Sequence, residues 1–205
     1  MSSWVVIVVL FFSVIIHEVG HGLAALFFGD TTARDQGRLT LNPLVHIDPL
    51  GSVIVPMILS LVHSPFLFGW ARPVPFREEN LHPRRLGILC VTLAGITVNI
   101  TVAVVCGLIL RFTYAGSLGN ATPLFQLLAL ITFINLLLGM FNLIPIPPLD
   151  GHRLITVWLS EKWRMHVERY GFFFIPILIF LLTKISITKP VLVLFTWLTK
   201  ISIQL

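Results

Sequence analysis

Trp4-Val5-Val6-Ile7-Val8-Val9-Leu10-Phe11-Phe12-Ser13-Val14-Ile15-Ile16-His17-Glu18-Val19-Gly20-His21-Gly22-Leu23-Ala24-Ala25-Leu26-Phe27-Phe28 is an apolar run long enough to cross a bilayer, and it carries two imidazoles and a carboxylate. A helix repeats every 3.6 residues, so His17 and His21 lie one turn apart on one face, where both can hold the same cation. Glu18, the next residue along from His17, is placed to act as general base on a metal-activated water. Five-residue patterns of this kind also arise by chance in soluble proteins. At hydrocarbon depth the balance changes, because ionisable groups there are costly without partners and mark functional sites.

Composition agrees with a membrane setting. Of 205 residues 56% are hydrophobic and 11% charged, against about a quarter charged in soluble domains. The net charge of +5 does not point to nucleic acid, because the basic residues are scattered through short loops, which is a topology pattern. The N-terminus has no basic region ahead of the apolar run, and the run holds the histidine motif in place of a cleavage site, so it reads as a retained span. Cys90 and Cys106 fall in one expected helix about 24 Å apart by helical rise, too far to bond within it.

Outward from residues 4–28 the chain reads as an all-α polytopic membrane protein with about 4–6 transmembrane segments. Gly29-Asp30 is a helix stop, and residues 31–49 form an ordered interfacial loop with two prolines. Residues 50–70 are apolar but interrupted by Pro56, His63, Pro65 and Gly69, and are open to two readings, a crossing or a re-entrant element. Residues 71–85 are a basic, proline-rich loop, residues 86–110 a clean span, residues 114–122 a polar turn, and residues 123–144 a further span. Pro145-Ile146-Pro147-Pro148 forbids helix after it. Residues 152–169 look like an interfacial amphipathic helix, and the apolar blocks at 170–183 and 190–205 read as either tilted spans or a hairpin.

A catalytic zinc needs a third protein ligand beside two histidines. Asp150 is the candidate, at the end of Phe141-Asn142-Leu143-Ile144-Pro145-Ile146-Pro147-Pro148-Leu149-Asp150-Gly151, where broken backbone can reach inward if it is buried in protein or lines a water-filled cavity. Taken alone, Asp150 also fits a cap on the next helix with Asp-Gly as a turn.

The pair of motifs, His17-Glu18-Val19-Gly20-His21 and Asn142-Leu143-Ile144-Pro145 through Leu149-Asp150-Gly151, resembles the site-2 protease family of intramembrane zinc metalloproteases. Gly37-Arg38-Leu39-Thr40-Leu41-Asn42-Pro43, His46-Ile47-Asp48-Pro49 and Phe68-Gly69-Trp70-Ala71-Arg72-Pro73-Val74-Pro75 look like its compact prokaryotic branch. The resemblance covers roughly residues 10–155. It implies one Zn2+ per chain, held by His17, His21 and Asp150, with Glu18 as catalytic base. It also implies a transmembrane-helix protein as substrate in a lipid bilayer, with no nucleic acid involved. Residues 1–205 then form a single integral-membrane protease domain, with its catalytic core at about 4–155 and hydrophobic C-terminal segments at 170–205; PDZ or CBS domains have no room. Many members have Ala-Gly-Pro followed by asparagine in the middle span, where this chain has Ala94-Gly95-Ile96 and Asn99. No metal ligand or base is expected from that segment, and Asn99 reads as an interhelical hydrogen-bonding residue.

Asn142 is either a donor to the oxyanion of the tetrahedral intermediate or a helix-terminus hydrogen-bonding residue. Residues 68–75 read as an extended edge able to pair with an unwound substrate, or as a loop packed over the site. If residues 50–70 cross, eight Arg or Lys face three across the membrane; if they are re-entrant, with an extended return at 66–75, ten face only Arg111. The positive-inside rule favours the re-entrant arrangement, with the active site opening toward the cytoplasm of a prokaryotic inner or plasma membrane. Two rivals stand beside this reading. One is an inactive scaffold or metal-binding protein; the other is a membrane zinc protease whose third ligand is a glutamate, for which Glu161 and Glu168 are available.

Overall fold

A computed structural model describes residues 3–61, 71–113, 122–174 and 187–201, and these residues are helical with no strand among them. Among the described residues three helices, α1 (Ser3–Phe27), α4 (Arg84–Thr113) and α5 (Pro123–Asn142), are long and apolar enough to cross a membrane, and α2 (Thr32–Asp35) and α3 (Val55–Leu61) lie between α1 and α4. At 1.5 Å per residue their 25, 30 and 20 residues reach about 37, 45 and 30 Å. The expected spans at 4–28, 86–110 and 123–144 correspond to them, with α4 extended at both ends.

Local chemistry sets the boundaries. Thr122 caps α5 by accepting the Phe125 amide at 3.2 Å, and Pro123 takes the first position, where no amide proton is needed. The prolines at 145, 147 and 148 end it. Three short α-helices follow α5 among the described residues: α6 (Gly151–Thr156), α7 (Glu161–Tyr170) and α8 (Thr188–Thr199). The single amphipathic helix expected at 152–169 is thus two helices with a break between them. Residues 50–70 start as a π-helical turn, Pro49–Ile54, and continue as α3; residues 62–70 lie outside the described residues, as do 114–121, 175–186 and 202–205. The described part of the expected extended return, residues 71–75, pairs with no strand.

Helices α1, α4 and α5 pack on one another, and α8 packs against α4 and α5. There Phe195 and Val191 are fully buried beside Ala103 and Leu136. Outward-facing Val8, Leu10, Phe12, Val105 and Phe112 leave an apolar exterior, the surface that a hydrocarbon surrounding tolerates.

One end of the bundle is tied by polar chemistry. Asp30, fully buried just past α1, accepts from the Thr32 amide at 3.1 Å, the Thr32 hydroxyl at 2.5 Å, the Asn80 side chain at 2.9 Å and the Arg77 amide at 2.7 Å. His82 donates its amide to Phe28 O at 2.9 Å. On the same loop, Glu78 accepts from the buried Arg164 of α7 at 2.9 Å, while Arg84 at the start of α4 pairs with Glu161 at 2.9 Å. Residues 28–32, 77–84 and α7 therefore share one end of the bundle.

Burial alone pushes the Asp30 carboxyl up, but its donors outweigh burial and hold it below the ordinary value of 3.8. A depressed carboxyl contributes stability that is present above the unfolded pKa and lost as pH falls through the folded one. Asp30→Asn is therefore expected to lower stability by about 1.5–3 kcal/mol at neutral pH. The difference from wild type should shrink below about pH 4, as read by thermal unfolding in detergent micelles at both pH values.

Candidate metal centre

His17 and His21 project from α1 toward α4, one turn apart, and Asp150 enters from the turn after α5. His17 Nε2 lies 2.9 Å from Asp150 Oδ2, His21 Nε2 lies 3.2 Å from the same oxygen, and the two Nε2 atoms are 3.0 Å apart. The three side chains form a possible metal site. Both histidines are buried, whereas the Asp150 side chain is 20% exposed, so the cluster opens on the aspartate side.

The far nitrogen of each ring is committed. His21 Nδ1 lies 2.6 Å from the Val91 carbonyl, which can only accept, so that nitrogen carries the proton. His17 Nδ1 lies 2.5 Å from Asn99 Oδ1 and donates likewise. In neutral rings both Nε2 atoms then present lone pairs to each other and to a carboxylate oxygen. Three electron pairs facing inward at this range repel, and a cation resolves the conflict. Ligands held about 2.0–2.1 Å from one tetrahedral zinc stand roughly 3.3 Å apart, close to the observed separations. Two nitrogens and one oxygen with an open side are also the donor set of a catalytic zinc.

Backbone shape brings these groups together. A Cβ on Gly95 would lie 2.5 Å from His21 Nε2 and 2.7 Å from His17 Cε1, so α4 can pass beneath the rings only with glycine there. At Gly151 a Cβ would lie 2.5 Å from the Leu143 and Ile144 carbonyls; the turn folds back on the end of α5 and delivers Asp150. Although Asp150 directly precedes α6, its side chain makes no capping bond. It is spent on the histidines.

Glu18 is half-buried, and its Oε2 accepts from the Val74 amide at 2.8 Å. The strap that supplies this amide is clamped by Arg38, whose guanidinium donates to Arg72 O at 2.7 Å, to Pro73 O at 3.1 Å and to Val45 O. The Arg72 amide goes to His46 O at 2.9 Å, so residues 72–74 form a loop packed against the site. Burial and the nearby Arg72 charge push the Arg38 guanidinium below its ordinary value, with Glu18 acting the other way. Sequence reading used Arg38 and Val74 only as parts of a resemblance. An arginine rich in carbonyl contacts looks like any loop arginine until the fold is known.

Asn142, at the end of α5, donates to Leu138 O at 3.1 Å, the helix-terminus bond anticipated as one of its readings. Glu161 is paired with Arg84, and Glu168 lies 3.8 Å from Arg153; neither joins the cluster.

The family model of peptidase family M50 matches residues 113–183. A putative zinc metalloprotease of Bacillus subtilis, YwhC, is 36% identical over 173 residues, which cover 81% of this chain and 75% of that relative. The chain belongs to peptidase family M50, the site-2 proteases. The putative zinc metalloprotease Rip2 of Mycolicibacterium smegmatis is 29% identical over 170 residues, 82% of this chain and 63% of that protein. Zinc metalloprotease MJ0392 of Methanocaldococcus jannaschii is 30% identical over 161 residues, 78% of this chain and only 36% of its own length. No solved structure matches the chain. In this M50 chain Gly95→Ala is expected to weaken divalent-metal binding at least about tenfold by displacing both rings. Competition with a chromophoric chelator measures it.

Proposed function

We propose that the chain is an intramembrane zinc metalloprotease that hydrolyses peptide bonds within or near the transmembrane helices of membrane-protein substrates. The observation that carries this reading is the convergence of His17, His21 and Asp150 on one point with both Nδ1 protons committed elsewhere and a glutamate one residue from His17. The YwhC and Rip2 relatives are named as zinc metalloproteases, which agrees with it.

Zinc held by His17, His21 and Asp150 would supply Lewis acidity, lowering the pKa of water toward about 7. Glu18 takes the proton from the attacking water and passes it to the leaving amine. The Val74 amide on Glu18 Oε2 leaves the other carboxylate oxygen to receive that proton. Asn142 is the proposed donor to the developing oxyanion: its amide nitrogen carries two protons, and one is used on Leu138 O. The site opens beside Asp150, which is where an unwound substrate segment approaches.

Glu18→Gln is expected to retain zinc and to lose cleavage of a single-span membrane substrate in proteoliposomes by about 10²- to 10⁴-fold. Asp150→Ala is expected to lose both. Cleavage at the wild-type rate by Glu18→Gln, or by chain stripped of metal, would count against the assignment.

Residues 50–70 are proposed as re-entrant in a bundle of about 4–6 membrane segments, with the site facing the cytoplasm of a prokaryotic inner membrane. The Asp30–Arg77 contact supports this, since a crossing between residues 30 and 77 would put its partners on opposite sides. The basic residues then concentrate on that side. A cysteine placed at Arg77 should react with an impermeant thiol reagent only in inverted vesicles; labelling from outside intact cells would reverse the orientation.

A further inference from the structure

Beneath the metal centre lies a chain of buried polar side chains that spans all three long helices. Ser13 stands on α1, one turn before His17; Asn99 stands on α4, one turn after Gly95; and Asn135 stands on α5. Asn99 and Asn135 are fully buried and Ser13 is nearly so. Asn99 Nδ2 donates to Ser13 O at 3.2 Å and to Asn135 Oδ1 at 2.7 Å. Asn135 Nδ2 donates to the Ser13 hydroxyl and to Ile131 O, both at 2.9 Å.

The direction of these bonds is forced. Side-chain amides can be turned end for end, but backbone carbonyls cannot, and each amide here is anchored by one. Turning Asn99 would set its oxygen against Ser13 O; turning Asn135 would set its oxygen against Ile131 O. In hydrocarbon no water can make good the loss. Asn99 must therefore aim Oδ1 at His17, and a neutral His17 must carry its proton on Nδ1, leaving the Nε2 lone pair toward Asp150.

We propose that Ser13, Asn135 and Asn99 act as a positioning relay that fixes the tautomer of His17, with Gly95 clearing the space the rings occupy. The relay sets metal affinity from up to three side chains away, beyond its service as contacts between helices. It rests on His17 being a metal ligand. A relay is what hydrocarbon depth calls for: a single amide beside His17 would be free to turn, whereas one anchored through α5 and back to α1 is not. The face of α4 that reads Val91, Gly95 and Asn99 thus serves both histidines, through a carbonyl, a gap and an amide.

The test uses the full chain in detergent micelles, with metal affinity read by chelator competition, the His17 tautomer read by ¹⁵N shifts of the metal-free protein, and stability read by thermal unfolding. Asn99→Leu is expected to weaken zinc binding about 10- to 100-fold and to move the His17 proton partly to Nε2. Asn99→Asp keeps an acceptor for Nδ1–H while losing both donated bonds, so it should lower thermal stability yet hold zinc within about threefold of wild type, a split that simple interhelical packing does not produce. Asn135→Ala and Ser13→Ala, the milder variants, should each weaken zinc by a smaller factor. Wild-type affinity and an unchanged ¹⁵N pattern in Asn99→Leu, or in both milder variants should Asn99→Leu not fold, would overturn the relay. So would equal loss of zinc in Asn99→Asp and Asn99→Leu. If His17→Ala binds zinc as wild type does, the metal assignment itself fails, and the two failures are distinct.

Discussion

Two imidazoles and a carboxylate directed at one point inside a helical bundle constrain everything around them. Two imidazole nitrogens and a carboxylate oxygen within 3.2 Å of one another are unfavourable neighbours unless positive charge sits among them. In water such groups would drift apart or pick up protons. Here the rings are pinned from behind, His21 by the Val91 carbonyl and His17 by Asn99, and Asp150 is fixed by a turn that only glycine permits. The buried hydrogen bonds hold the Nδ1 protons of both rings away from Asp150, so that the neutral rings turn Nε2 toward it. Such an arrangement suits a divalent cation.

The same economy of polar groups divides the molecule. Between the ends of the bundle, polar side chains are few and those near the site are paired in directional chains. At the end where α1 stops, they are many and ionic: Asp30 with its donors, Glu78 with Arg164, Arg84 with Glu161. That end also holds the Arg38 clamp and the strap whose Val74 amide rests on the base. Glu18 is thus tied to the ionic end, while His17 and His21 are supported from α4.

Much of the centre was legible in the residues. The four-residue step from His17 to His21 follows from helical period, and the proline break before Asp150 marks backbone free to turn inward. Whether Asp150 capped a helix or met the histidines was not legible, because both uses have the same local sequence; only contact across 133 positions decides it. Asn99 was legible as interhelical and no more, since its partner His17 is 82 residues away and nothing in an apolar helix says which neighbour an amide will face. Arg38 was hidden for a similar reason. Its partners are backbone carbonyls, which every residue possesses. The long helices stood out through length and hydropathy, whereas the single interfacial helix expected at 152–169 proved to be α6 and α7, because periodicity across a short break looks continuous.

The separation between His17 and Asp150 has a meaning for biosynthesis. Residues 13, 17, 18 and 21 lie on α1 and are made before α4 and α5, while the aspartate that completes the cluster is translated 133 residues after His17. Until α4 and α5 arrive, α1 carries unpartnered polar groups at hydrocarbon depth and is a poor lodger in lipid. A nascent chain must shelter it at the insertion machinery or against other protein. The cluster of His17, His21 and Asp150 is therefore incomplete throughout early assembly, until the turn after α5 has been made.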